Sequence, residues 1–242
     1  MKLVLLTAIA VGSASLLGAV LGLLFKNVNQ ITQKCLTAAS AGIMLHSAMF
    51  GLVAPAVDLD HALRIPLLLA GLLGGFLFLS AIRRLSPRLF GASAEGSKTS
   101  SLLFLLAMGI HHIPEGIAAG VSFGTGSLAD VITVAGGIAL QNIPEGMMLI
   151  APLRLLGMHT GRILGISLGI SLLEALGVFV GYFAITFSAG ILPFALGFAA
   201  GAMLFVLLSD MIPSACTIEG SQKPIYFALF GFAIMTALSV FI

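Results

Sequence analysis

Two stretches carry the chemistry of this chain: HHIPEG at residues 111–116 and QNIPEG at residues 141–146. His111 and Glu115 are four apart, as are Gln141 and Glu145, so each pair lies on one face of a helix. Imidazole and carboxylate together are ligands for divalent transition metals. His112 and Asn142 sit one residue further on, about 100° round the helix, and would line an adjacent position on the same groove. Pro114 and Pro144 each remove a helix hydrogen bond and kink the helix, which frees the carbonyls of Ile110 and Leu140. Gly116 and Gly146 allow a neighbouring helix to approach closely. A polar pattern repeated after 30 residues is therefore read as two halves of one cation site.

The surroundings sharpen that reading. The chain has 242 residues, 59% hydrophobic and 8% charged. A soluble domain carries about 25% charged residues, so most of this chain belongs in lipid. Of nine acidic residues, Glu115, Glu145, Glu174 and Asp210 fall inside apolar segments, as do His46, His111 and His112 among five histidines. Intramembrane carboxylates cost about 2.5–3.5 kcal/mol each or more and normally need a partner. No Lys or Arg lies deep in any span. Protons, polar side chains and bound cations remain as partners.

Other spans offer further candidates. Glu174 shares a helical face with Ser171 and Ser167 and would look inward as a ligand. Asp210 is either a transit ligand or a helix-end residue. Span two carries a stripe of Ser40, Met44, Ser47 and Gly51, in which Met44 would either cap the site or simply pack. His46 lies about 200° from Met44 and should not share its face; it is a candidate for the metal path. Cys35 and Cys216 have no metal-type spacing and read as packing residues.

A span needs roughly 20 apolar residues. Eight are expected, at about 3–25, 36–57, 65–82, 101–124, 129–153, 161–187, 190–214 and 225–242, in a single transmembrane domain over 1–242. The first is read as a retained span rather than a cleaved signal. The longest connection, 83–98, is polar and leaves no room for a soluble domain. Nine of the eleven Lys and Arg fall in odd-numbered loops (Lys26, Lys34, Arg83, Arg84, Arg88, Lys98, Arg154, Arg162 and Lys223), and Lys2 and Arg64 lie on the other side. Odd loops are therefore expected in the cytoplasm and both termini outside, in the cell (inner or plasma) membrane. The net charge of +2 does not suggest a nucleic-acid partner.

Spans two and seven look alike, with AGIML at 41–45 followed by Pro55 and AGAML at 200–204 followed by Pro213. They are five spans apart, and an odd offset makes the copies antiparallel. The expected fold is all-α integral membrane, with spans one to three inverted against six to eight and four and five between, a 3+2+3 plan. Inverted repeats with midplane sites on broken helices belong to alternating-access transporters. One bundle, spans two and seven with one and eight, is expected to be held differently from the central helices, and rocking or sliding between the two would open the inside.

With these residues in view, HHIPEGIAAGVSFG and GGIALQNIPEGMMLIAPL resemble the signature helices of the ZIP (Zrt/Irt-like) divalent metal transporters, GufA-type bacterial branch. GIMLHSAMFGLVAPAVD, SLLEALG and FAAGAMLFVLLSDMIPSA are similar to that branch's spans two, six and seven, so the resemblance runs over about 40–215. It implies a binuclear site. One position would take His111, Glu115, Gln141 and Glu145 with Met44 nearby; the other would take His112, Asn142 and Glu174, with Glu115 and Glu145 as bridges. It implies import of zinc, or of iron, manganese or cadmium, as transported substrate and not as cofactor.

The chain also departs from the pattern. His112 stands where the family usually has Asn, Asn142 where some relatives have an acid, and Ser209 where an acid or His is common. His46 replaces a small residue, and Ala175 follows Glu174 where relatives often have Pro. Two rival readings are a proton-coupled carrier of another solute and an intramembrane metalloprotease. The protease would need His-Glu-x-x-His, and this chain has His-His-x-x-Glu. Small-residue stripes would serve internal packing or a homodimer face equally well. Bound as neutral imidazole and ionised carboxylate, the metal should hold more weakly as pH falls.

Overall fold

The computed structural model describes residues 1–25, 29–60, 62–89, 97–216 and 222–241. Lys26, residues 90–96 of the long loop, and the side chains of Arg88, Lys98 and Cys216 lie outside the described part. Among the described residues the helices form eight rods joined by short connections. They are α1 (Lys2–Leu24), α2 (Gln30–Asp58), α3 (Arg64–Leu89), α4 (Ser97–Val121), α5 (Leu128–Met148, continued by Ile150–Leu155), α6 (Thr160–Phe187), α7 (Leu192–Ala215) and α8 (Lys223–Phe241). The eight rods follow the same order along the chain as the eight expected segments.

Sequence-local chemistry sets the ends. The Asn29 side chain accepts from the Thr32 amide at 2.7 Å and starts α2. Ser127 does the same for the Asp130 amide at 3.2 Å, and Asp130 itself suits the positive end of α5. The turns into α5 and α6 pass through Gly126 (φ 74°) and Gly157 (φ 75°), left-handed positions where a side chain would be strained.

Six rods are long and apolar enough to cross a membrane by length and composition. Of the other two, which carry HHIPEG and QNIPEG, α5 has its apolar content diluted by the polar residues of its motif. Large apolar side chains such as Leu69, Leu73 and Leu77 of α3 and Ile225, Leu229 and Phe230 of α8 are exposed, which suits a lipid-facing surface. This is a multi-pass membrane protein.

The rods pack in two groups. In one, α1 lies on α5 and α6, and α4 lies on α6; in the other, α2 lies on α8 and α3 on α7. The groups meet where α2 packs on α5 and α7 on α4. The expectation that α1 would go with α2, α7 and α8 is therefore corrected: small residues on α1 let its backbone approach α5 and α6. Lipid tails give helices no hydrophobic reason to associate, so such close backbone contact is what holds the rods together.

Both α2 and α7 contain a wide, π-type turn, at Ser47–Val53 and Leu207–Met211. Each precedes a proline, Pro55 and Pro213. The proline ring would clash with the carbonyl four residues back, on Gly51 or Ser209, and the widened turn accommodates it. The similarity of AGIML–Pro and AGAML–Pro thus extends to the same local distortion at the same place.

Candidate metal centre

The two motif helices continue through Pro114 and Pro144 and bring their polar residues into one buried cluster. Glu115, Gln141, Asn142, Glu145, His112 and Glu174 are all buried to within 2%. The Gln141 amide donates to Glu115 Oε1 at 2.8 Å, and His111 Nε2 lies 3.4 Å from Glu145 Oε2. These contacts join the four residues of the first expected position across α4 and α5.

The second group forms beside it. His112 Nδ1 lies 3.2 Å from Glu115 Oε2 and 3.4 Å from Glu174 Oε2. The Asn142 amide donates to Glu174 Oε1. The His111 and His112 rings stack, with centroids 5.0 Å apart. Potential ligand atoms of His111, His112 and Glu145 all lie within 4.8 Å of one another, as do those of His112, Glu115 and Glu174.

The decisive feature is the set of acceptors left over. Glu145 Oε1, Gln141 Oε1 and Asn142 Oδ1 are buried with no hydrogen-bond donor among the described residues, and Glu115 Oε2 has the His112 ring beside it but no hydrogen bond of good geometry. A buried acceptor without a partner costs about 1–3 kcal/mol, more when charged. Carboxylate and amide oxygens beside imidazoles are ligand types that divalent transition metals take.

The remaining candidates lie elsewhere. Met44 is fully buried in the core, one turn beyond Ser40, whose hydroxyl reaches the Gln141 carbonyl at 3.4 Å. His46 turns to α8: it stacks on Phe50 at 4.9 Å, meets Phe232 edge-on at 5.5 Å, and sits 3.4 Å from Ser239 Oγ. The structure does not bring it to the cluster. Asp210 Oδ1 pairs with Arg83 Nη1 at 2.9 Å, and its Oδ2 accepts from Ser209 at 2.8 Å. The pair is 48% and 32% exposed, so Arg83→Ala should cost no more than about 1 kcal/mol. A thermal melt in detergent checks this; a large loss would mean the pair is far more desolvated than it looks.

Sequence reasoning missed α1. Ser15 is fully buried and its hydroxyl donates to Glu174 Oε2 at 3.2 Å, while Asn142 also reaches the Val11 carbonyl at 3.5 Å. The available signal was the run of small residues on α1, with Gly12, Ser15, Gly18 and Gly22 three or four apart and so on one face.

The chain is similar to known proteins. The family model described as ZIP Zinc transporter matches residues 91–239. The zinc transporter GufA of Myxococcus xanthus is 33% identical over 225 residues, 87% of each chain. The zinc transporter ZIPB of Bordetella bronchiseptica is 30% identical over 93% of this chain and 77% of its own. The zinc transporter ZIP11 of Xenopus tropicalis is 35% identical over 64% of this chain and 48% of its own.

Proposed function

Because the chain belongs to the ZIP zinc transporter family, GufA-type branch, we propose that it carries divalent transition metal, zinc foremost, across the membrane into the cytoplasm. The family's members are transporters and not enzymes, so the protease reading falls away. The observation that carries the metal reading is the buried cluster of three carboxylates and two imidazoles, with oxygens of Glu145, Gln141 and Asn142 left without a donor among the described residues. Iron, manganese and cadmium suit the same ligands and are secondary substrates in this proposal.

In this reading metal arrives from outside, sheds water, and binds between α4 and α5. His111, Glu115, Gln141 and Glu145 form one position and His112, Asn142 and Glu174 the other. Met44 closes the first from α2. His46 and Asp210 serve as structural residues instead, which fits their aromatic and ionic partners. Movement of one packing group against the other would expose the site alternately, and the 3+2+3 inverted plan is supported by the matched wide turns of α2 and α7. The excess of Lys and Arg in the odd loops supports placing both termini outside.

Uptake of radioactive zinc into vesicles containing the purified protein tests the proposal: saturable uptake above that of empty vesicles is expected. Calorimetric zinc affinity should fall steadily as pH is lowered from 7, since protons compete for imidazole and carboxylate. No uptake by a protein that binds no zinc would sink the reading.

A further inference from the structure

The register of the close helix contacts makes α1 and α6 counterparts around the cluster. On α6, the Glu174 carbonyl lies 2.1 Å from where a Cβ on Gly116 would sit; on α1, the Ser15 carbonyl lies 2.1 Å from the same point on Gly146. Gly116 and Gly146 are the last residues of HHIPEG and QNIPEG. Three residues on, Gly177 faces the Ile113 carbonyl and Gly18 the Ile143 carbonyl, at 2.9 and 2.1 Å. Seven residues on, Gly181 faces Ile117 and Gly22 faces Met147. Ile113 and Ile143, like Ile117 and Met147, are again equivalent positions in the two motifs. Three consecutive matches fix one register: Ser15 occupies on α1 the place that Glu174 occupies on α6.

The side chains agree with the backbone. Ser15 Oγ reaches Glu174 Oε2, the same oxygen that faces His112, and Val11, one turn earlier on α1, offers its carbonyl to Asn142. A serine hydroxyl has one proton to give, and in the core of a span it needs a partner. Here it donates to a carboxylate oxygen, at 3.2 Å.

We infer that Ser15 is a positioning residue of the second metal position, orienting Glu174 through its hydroxyl and bringing α1 into the site. This rests on the metal reading above. Groups that orient a ligand in this way are worth about 10–100-fold in metal affinity.

The test uses the full chain in detergent, titrated with zinc chloride by calorimetry. Glu174→Gln identifies the binding step to which Glu174 contributes. Ser15→Ala should weaken that same step by about 10–100-fold. In the Glu174→Gln background Ser15→Ala should add nothing, because a residue acting only through Glu174 has no further effect. Melting temperature and any step insensitive to Glu174→Gln serve as controls for folding. Unchanged zinc affinity in Ser15→Ala, or an equal loss with and without Glu174, overturns the inference and leaves the metal reading standing. A wild-type chain that binds no zinc overturns both.

Discussion

Glu115→Ala and Glu145→Ala are each expected to abolish zinc uptake and to lower zinc affinity by more than about 100-fold, the upper end of what even an outer partner of a ligand contributes. The two carboxylates sit at the centre of the cluster. Glu115 touches Gln141 on one side and His112 on the other; Glu145 faces His111. Both are buried to within 2%, and Glu145 keeps one oxygen without a donor among the described residues. Losing either removes a carboxylate from the buried centre of the cluster. The remaining acids would then have less cation charge to attract and no basic side chain to lean on. Calorimetry and vesicle uptake of the two variants check this, with melting temperature as the folding control. Near-normal binding and uptake in both would show that the acids are structural.

Gly116→Ala is expected to lower stability and zinc affinity together. The new Cβ would lie 2.1 Å from the Glu174 carbonyl oxygen and 3.0 Å from its carbon. Backbone cannot swing aside as a side chain can, so α4 and α6 must part. Overpacking of this kind costs about 1–3 kcal/mol, occasionally more. It also displaces Glu174 itself, so zinc affinity should fall along with stability. Gly146→Ala should behave alike, because it drives α5 against the Ser15 carbonyl. Gly169→Ala is the control: nothing lies within 4 Å of its added Cβ, and stability and affinity should hold. Melting temperatures in detergent and zinc titrations separate the three. A Gly116→Ala protein as stable as the Gly169→Ala protein would mean that α4 and α6 are not in close contact.

Much of this was legible in the sequence because lipid leaves few options. A chain with so few charges must spend its length on spans, and a carboxylate inside a span must have a reason. The motif residues meet because one face of a helix is dictated by spacing: His111 with Glu115, and Gln141 with Glu145. Glu174 was legible by the same rule, from its serine-lined face. His46 and Asp210 were harder. A histidine in a span looks the same on paper whether it meets a metal or two phenylalanines, and which neighbour it faces depends on how α2 and α8 pack. Asp210 acquires its partner from α3, more than a hundred residues away in the chain. Ser15 escaped because a lone serine among small residues carries no chemical signature until α6 sets a carboxylate against it. The grouping of α1 with α4, α5 and α6 was hidden for the same reason: it depends on which glycines meet which carbonyls.

The most direct test of the central claim is an anomalous difference map from crystals of the protein soaked in zinc or cadmium. For zinc, the account predicts density between α4 and α5, with His111 and the carboxylates of Glu115 and Glu145 at ligand distances of about 2.0–2.2 Å. Any second peak would lie towards Glu174. Density confined to surface carboxylates, with the buried cluster empty at saturating metal, would contradict it.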